Sequence, residues 1–134
     1  MTVSRNHSYR HRYTSKWCGS ILHIFDPVFR QNYYYVDCKN ESDYNKILKV
    51  EFKIIQDAKN RDGGFQVFER QKTEIGFIWT SGRDVPTLAH EVLHAVSYCL
   101  RSKGLQLSAE TDEAYAYVMG FIMGEILKQW KVKI

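Results

Sequence analysis

Residues 87–100 read Thr87-Leu88-Ala89-His90-Glu91-Val92-Leu93-His94-Ala95-Val96-Ser97-Tyr98-Cys99-Leu100, and the reading of the whole chain turns on them. Leu88, Val92, Ala95, Val96 and Cys99 recur at three- and four-residue intervals, the spacing that lines one face of an α-helix. His90 and His94 stand four residues apart, so they project from a common side of that helix, close enough to hold one metal ion. Glu91 lies one residue beyond His90, about 100° further around the helix, and points beside such an ion rather than at it. There it can accept a proton from water without competing as a ligand, while a zinc ion would polarise a carbonyl and acidify that water. The motif H-E-x-x-H would arise by chance about once in a hundred shufflings of this composition, so its surroundings have to support it. They do: a polar edge set into an apolar helix is costly unless something satisfies it. The bland reading is a pair of half-buried histidines satisfied without a metal.

Working outward, Asp84 or Thr87 can cap this helix, whose first turn tolerates Pro86. It should run to about Lys103 and stop at Gly104. Ser108 then caps a last helix through Tyr117, Phe121 and Ile126 to about Trp130, folded back antiparallel. Glu110, Asp112 and Glu113 fall early in it, where the helix dipole favours acids. A catalytic zinc usually has three protein ligands and one open position. Glu113, one turn inside the helix on the face that continues through Tyr117 and Gly120, is the first candidate for the third ligand. Glu110 is the second, Asp112 should face solvent, and His23 is an outside choice. Tyr117 stacks on the face of Glu113 and could, like Tyr115, orient a ligand or donate to an oxyanion, although amphipathic packing explains both tyrosines as well. Tyr98 prolongs the His90/His94 face by one turn and carries the same ordinary explanation.

Towards the N-terminus, Ser20–Asp26 and Asn32–Cys38 read as strands, the second rich in the aromatic and β-branched residues that suit a pleated surface. Ser42 is a plausible cap for a helix carrying Tyr44, Ile47, Leu48, Phe52 and Ile55 and ending near Asn60, before the turn signal Asp62-Gly63-Gly64. Phe65–Glu69 and Glu74–Thr80 follow as a hairpin. The expected fold is α+β, with an antiparallel sheet, one packing helix and two C-terminal helices.

At 134 residues the chain reads as one domain, and 44% apolar residues suffice for a core. The net charge of +4 is concentrated in residues 1–17. These hold Arg5, Arg10, Arg12 and Lys16 and no acid; removing the four from 19 basic residues leaves 15 against 15 acids. The expected division is a basic, flexible arm over 1–17 and a single domain over 18–134, with only a weak case for nucleic-acid binding through the arm. No stretch approaches a membrane span, and the polar start has no secretory h-region. Three cysteines at no metal-like spacing fit a reducing compartment. The expectation is a soluble, cytoplasmic protein.

Residues 88–100, LAHEVLHAVSYCL, followed after a glycine turn by SAETDEAYAYVMGFI, resemble the gluzincin type of zinc peptidase, H-E-x-x-H plus a Glu from the next helix. The likeness is greatest to small phage-encoded metallopeptidases and spans about Glu74 to Ile126. The resemblance implies a zincin-like fold with His90, His94 and Glu113 as zinc ligands and Glu91 as general base, acting on a peptide or protein substrate, in a host cytoplasm if phage-encoded. It also implies an edge strand before the active-site helix that pairs with extended substrate, a place Glu74–Thr80 would take. Gluzincins usually follow the third-ligand Glu with an acidic partner, whereas this chain has Tyr117; His23 and Arg83 are the available groups for an oxyanion. The alternative of another class is a zincin-scaffold binding or regulatory protein that disables a host factor without catalysis, using Tyr33-Tyr34-Tyr35 as its contact surface.

Overall fold

Tyr33, Tyr34, Tyr35 and Val36 show how alternation builds this molecule. In a strand successive side chains point to opposite faces; Tyr33 and Tyr35 are buried with Leu22, Ile24 and Ile78, while Val36 is buried on the other side with Ile21, Phe77 and Trp79. Tyr34 shares that second side and is half-buried. The triple tyrosine is therefore mainly core, and the contact surface expected there is a correction: only Tyr34 reaches the surface at all. A computed structural model describes residues 3–5, 10–15 and 18–132 apart from residue 58, with side chains from residue 20 onward.

The strands are β1 (Val3–Arg5), β2 (Arg10–Ser15), β3 (Cys18–Asp26), β4 (Gln31–Cys38), β5 (Gly63–Arg70) and β6 (Thr73–Ser81); the helices are α1 (Glu41–Phe52), α2 (Val85–Ser102) and α3 (Asp112–Gln129). The fold is α+β. Its centre is a four-stranded mixed sheet, β3-β4-β6-β5, which β2 and β1 extend beyond β3. The region expected as an arm thus contributes backbone to the sheet at 3–5 and 10–15, while residues 1, 2, 6–9, 16 and 17 lie outside the described residues.

One pair departs from the expected antiparallel sheet: β4 and β6 run parallel, Tyr35 opposite Ile78. Chain path explains it. From β4 the chain crosses through α1 to β5, and a two-residue turn then folds β6 back into the space beside β4. Gln71 and Lys72 in that turn have φ of 51° and 66°, the doubly left-handed turn whose twist matches a hairpin. The hairpin itself follows the sequence, with Phe65 opposite Ile78 and Phe68 opposite Ile75.

The helices form layers on both faces. α1 covers one side with Tyr44, Ile47 and Leu48, and α2 and α3 cover the other with Leu88, Val92, Ala95, Val118, Ile122 and Ile126. Each fully buried Leu, Ile or Val among them contributes about 1.5–3 kcal/mol through burial. Helix α1 is shorter than its apolar spacing predicts. Asn40, not Ser42, is the cap, accepting from the Asp43 amide at 2.8 Å. Lys53 takes a left-handed φ of 61°, and the Ile54 amide closes on the Leu48 carbonyl. Ile55, counted as helical from sequence, is 80% exposed. Asp84 caps α2 as expected, Pro86 sits in its first turn, and Gly104 at φ 82° lets the Leu105 amide close on Leu100. Helix α3 begins later than predicted. Residues 108–111 form a turn in which the Thr111 hydroxyl donates to the Gln106 carbonyl and accepts from the Ser108 amide, so Thr111 rather than Ser108 takes the cap position. Cys38 and Cys99 are buried on opposite faces of the sheet and cannot meet. No helix among the described residues is long and apolar enough to cross a membrane.

Candidate metal centre

The inward face of α2 is filled by Leu88, Val92, Ala95, Val96, Cys99 and Leu100, which anchors the helix across β5 and β6. That packing turns His90 and His94 outward, both exposed, and leaves Glu91 half-buried at the junction with β5. The two imidazoles meet edge to face, ring centroids 4.7 Å apart, with Nε2 3.1 Å from Nε2. One ring can donate to the other across that distance. Two nitrogens bound at about 2.0–2.1 Å to one tetrahedral ion would lie roughly 3.3 Å apart, so the spacing of the pair matches that of two ligands of one metal. Ligand atoms of His90, Glu91 and His94 all fall within 4.8 Å of one another.

The cluster opens on a groove of about 440 Å³, bounded by Glu91, His94, Tyr98 and Arg101 of α2 and by Arg61, Gly63, Gly64 and Phe65. Gly63 explains how the strand comes so near the helix. A Cβ there would lie 2.9 Å from Thr87 Cγ2 and 3.3 Å from Glu91 Cγ, so only glycine lets β5 pass beside the carboxylate without displacement. Among the described residues β5 pairs with β6 alone, and its other edge is open. The edge strand expected at Glu74–Thr80 is therefore corrected: β6 is interior, because the hairpin folds it against β4, and β5 is the edge.

Arg61 is held at the mouth of β5 by a carboxylate from α1. Glu41, whose side chain is fully buried, accepts from the Arg61 amide at 2.9 Å, from Nε at 3.1 Å and from Nη2 at 2.8 Å. The hydrogen bonds from Arg61 hold the Glu41 carboxyl below the usual carboxylate range, although burial opposes them. In return Glu41, and to a lesser degree the charge of Glu91, strengthens the guanidinium's hold on its proton. Tyr98 faces Phe65 at 6.1 Å, and the nearby Glu74 carboxylate raises its phenol.

His90, Glu91 and His94 are brought together; the other candidates are not. Glu113 and Glu110 are exposed and outside the cluster. The Tyr115 hydroxyl donates to the Leu105 carbonyl, and Arg83, ahead of α2, donates to the carbonyl of Trp130, past the end of α3. The helices are thus antiparallel, and the first turn of α3 lies beside the last turn of α2, about 12 Å of helical rise beyond His94. Tyr117, 42% exposed, stacks on Phe121 and does not line the groove. Asp112 is exposed, as expected. His23 bonds Asn32 and stacks on Tyr34 on the α1 side of the sheet, and Arg83 also pairs with Asp37; neither reaches the groove. Arg61, Gly63, Gly64, Phe65 and Arg101 were not singled out from sequence. Two adjacent glycines opening a strand carried the one available signal, close approach of the backbone to another element, but Asp62-Gly63-Gly64 reads equally well as a plain turn.

No family model matches the chain, and no curated protein or solved structure matches it either.

Proposed function

We propose that the protein is a zinc-dependent hydrolase, a peptidase, in which His90 and His94 hold the metal and Glu91 is the general base. The observation that carries this reading is the pair of Nε2 atoms 3.1 Å apart with the Glu91 carboxylate beside them, at the head of a groove along an open strand edge. A bound zinc ion would supply Lewis acidity, polarising a carbonyl and acidifying water. The protein's own groups do the rest. The free edge of β5 offers main-chain hydrogen bonds that align an extended peptide along the groove, which suits an amide substrate better than a compact one. Glu91, confined between His90 and the Gly63 backbone, takes the proton of the attacking water and returns it to the departing amine. Phe65 and Tyr98 form an apolar wall for a side chain next to the cleaved bond.

Zinc titration of the purified chain tests the ligands. One zinc should bind per chain, with affinity lowered at least 100-fold by His94→Ala and by less than about threefold by Glu113→Gln. Glu91→Gln should keep the metal and lose about 10²–10⁴-fold in hydrolysis of a quenched-fluorescence peptide mixture. A chain that takes up no zinc, or a Glu91→Gln variant as active as the parent, overturns the proposal.

A further inference from the structure

We propose that Arg61 is the oxyanion-binding residue of the groove, its Nη1 edge receiving the negative charge that develops on the substrate's carbonyl oxygen. This rests on the hydrolase reading for its catalytic meaning, but the anion site itself stands on separate observations.

Arginine side chains on a surface usually sample many rotamers, and a catalytic donor must be held still before the reaction. Arg61 is held. Glu41 takes Nε and Nη2 in a fork and takes the backbone amide of the same residue as well, so guanidinium and main chain are fixed by one carboxylate. That carboxylate is fully buried, which makes the clamp a built feature rather than a loose surface pair. Among the described residues Nη1 makes no hydrogen bond, and the residue lines the groove with Glu91 and His94. The other groove arginine differs. Arg101 is exposed, stands on the last turn of α2 about 10 Å of helical rise beyond His94, and among the described residues its side chain is tied only to the Ser97 carbonyl of its own helix.

Hydrolysis of an amide gives Arg61 a defined task. The water oxygen bonds to the carbonyl carbon, the π pair moves onto the carbonyl oxygen, and Glu91 takes the proton that water loses. The C–N bond then breaks, the carbonyl re-forms, and the proton on Glu91 passes to the leaving nitrogen. Arg61 donates to the oxygen while it carries the extra charge and releases it when the carbonyl returns.

The test uses inorganic phosphate, a tetrahedral oxyanion, titrated into the metal-free full chain while the Gly63, Gly64 and Arg61 Nε signals are followed by NMR. The parent should show saturable shifts at these three positions. Arg61→Gln leaves Glu41 buried without its partner and risks misfolding, so the double variant Glu41→Gln/Arg61→Gln is measured beside it. Phosphate affinity should fall at least tenfold in both and less than threefold in Arg101→Gln. Binding that survives in the folded double variant, or that depends on Arg101 instead, overturns the proposal. In the zinc-loaded chain, Arg61→Lys should lower kcat for peptide hydrolysis about 10-fold or more with KM within threefold; a raised KM at unchanged kcat would overturn the catalytic role. Zinc titration of the same variants separates the two ideas. If no metal binds but phosphate still requires Arg61, the hydrolase reading fails and the anion site stands.

Discussion

The face of the sheet under α1 carries most of the ring-to-ring contacts, and the core under α2 and α3 is mainly aliphatic. Under α1, Trp79 stacks on Tyr44 at 4.9 Å, and Phe77 meets Tyr34, Phe52 and Phe68 within 5.5 Å. The Tyr44 hydroxyl and the Gln56 and Gln66 amides close a hydrogen-bonded chain at its rim. This side carries no member of the His–Glu–His cluster. On the opposite side two 18-residue helices share the covering, and where α2 passes the open edge of β5 its polar groups come to the surface. The difference teaches a division of labour: one face secures the hairpin, the other presents the candidate centre at its rim. The two sides meet where Glu41 from α1 reaches the groove through Arg61.

The comparison is broken most severely at Trp79. Trp79→Ala should cost about 4 kcal/mol of stability in urea unfolding, since a fully buried ring leaves a cavity against Tyr44. Because α2 holds both histidines within one helix, zinc affinity under folding conditions should stay within threefold. A tenfold loss of zinc affinity would show that the two faces are not separable.

Glu41→Gln comes next and tests the joint. Arg61 is 40% exposed, so solvent screening limits the expected loss to about 1–2 kcal/mol at neutral pH. The sign follows from the lowered Glu41 pKa. Its contribution is complete above the ordinary carboxylate value near 4.5 and is lost as pH falls from there through the lower folded-state value. Parent and variant should therefore converge in acid, and a stability gap that persisted unchanged at pH 2 would refute the clamp. The smallest stability effect is expected at Gly63→Ala, about 1 kcal/mol, from the 2.9 Å approach to Thr87. Its value is in sharpening the map of the groove: displacement of Glu91 should lower peptide hydrolysis while zinc affinity holds, and equal losses of both would place Gly63 nearer the metal than the strand–helix contact implies.

The candidate centre was legible because its parts are local. Four residues of helix separate His90 from His94, and 3.6 residues per turn brings them to one side whatever the rest of the chain does. Asp84, Gly104 and the apolar spacing of α2 acted within the same few residues. The hairpin at Gln71-Lys72 was legible for the same reason. Helix α3 was harder: Ser108 looked like its cap, but the Thr111 hydroxyl bonds the Gln106 carbonyl and the helix starts about a turn later, which puts Glu113 in its first turn, beside the end of α2 away from His94.

By itself the sequence determined the α2 helix, its caps, the histidine pair and the alternation that buries Tyr33 and Tyr35. Only the tertiary structure decided that β6 lies inside the sheet and β5 at its edge, that Gly63 lets the strand touch Glu91, and that Arg61 enters the groove on a buried carboxylate 20 residues earlier in the chain. The physical reason is range. Helical spacing and capping are settled by neighbours within one or two turns, whereas strand order and cross-chain ion pairs depend on which distant segments bury one another first.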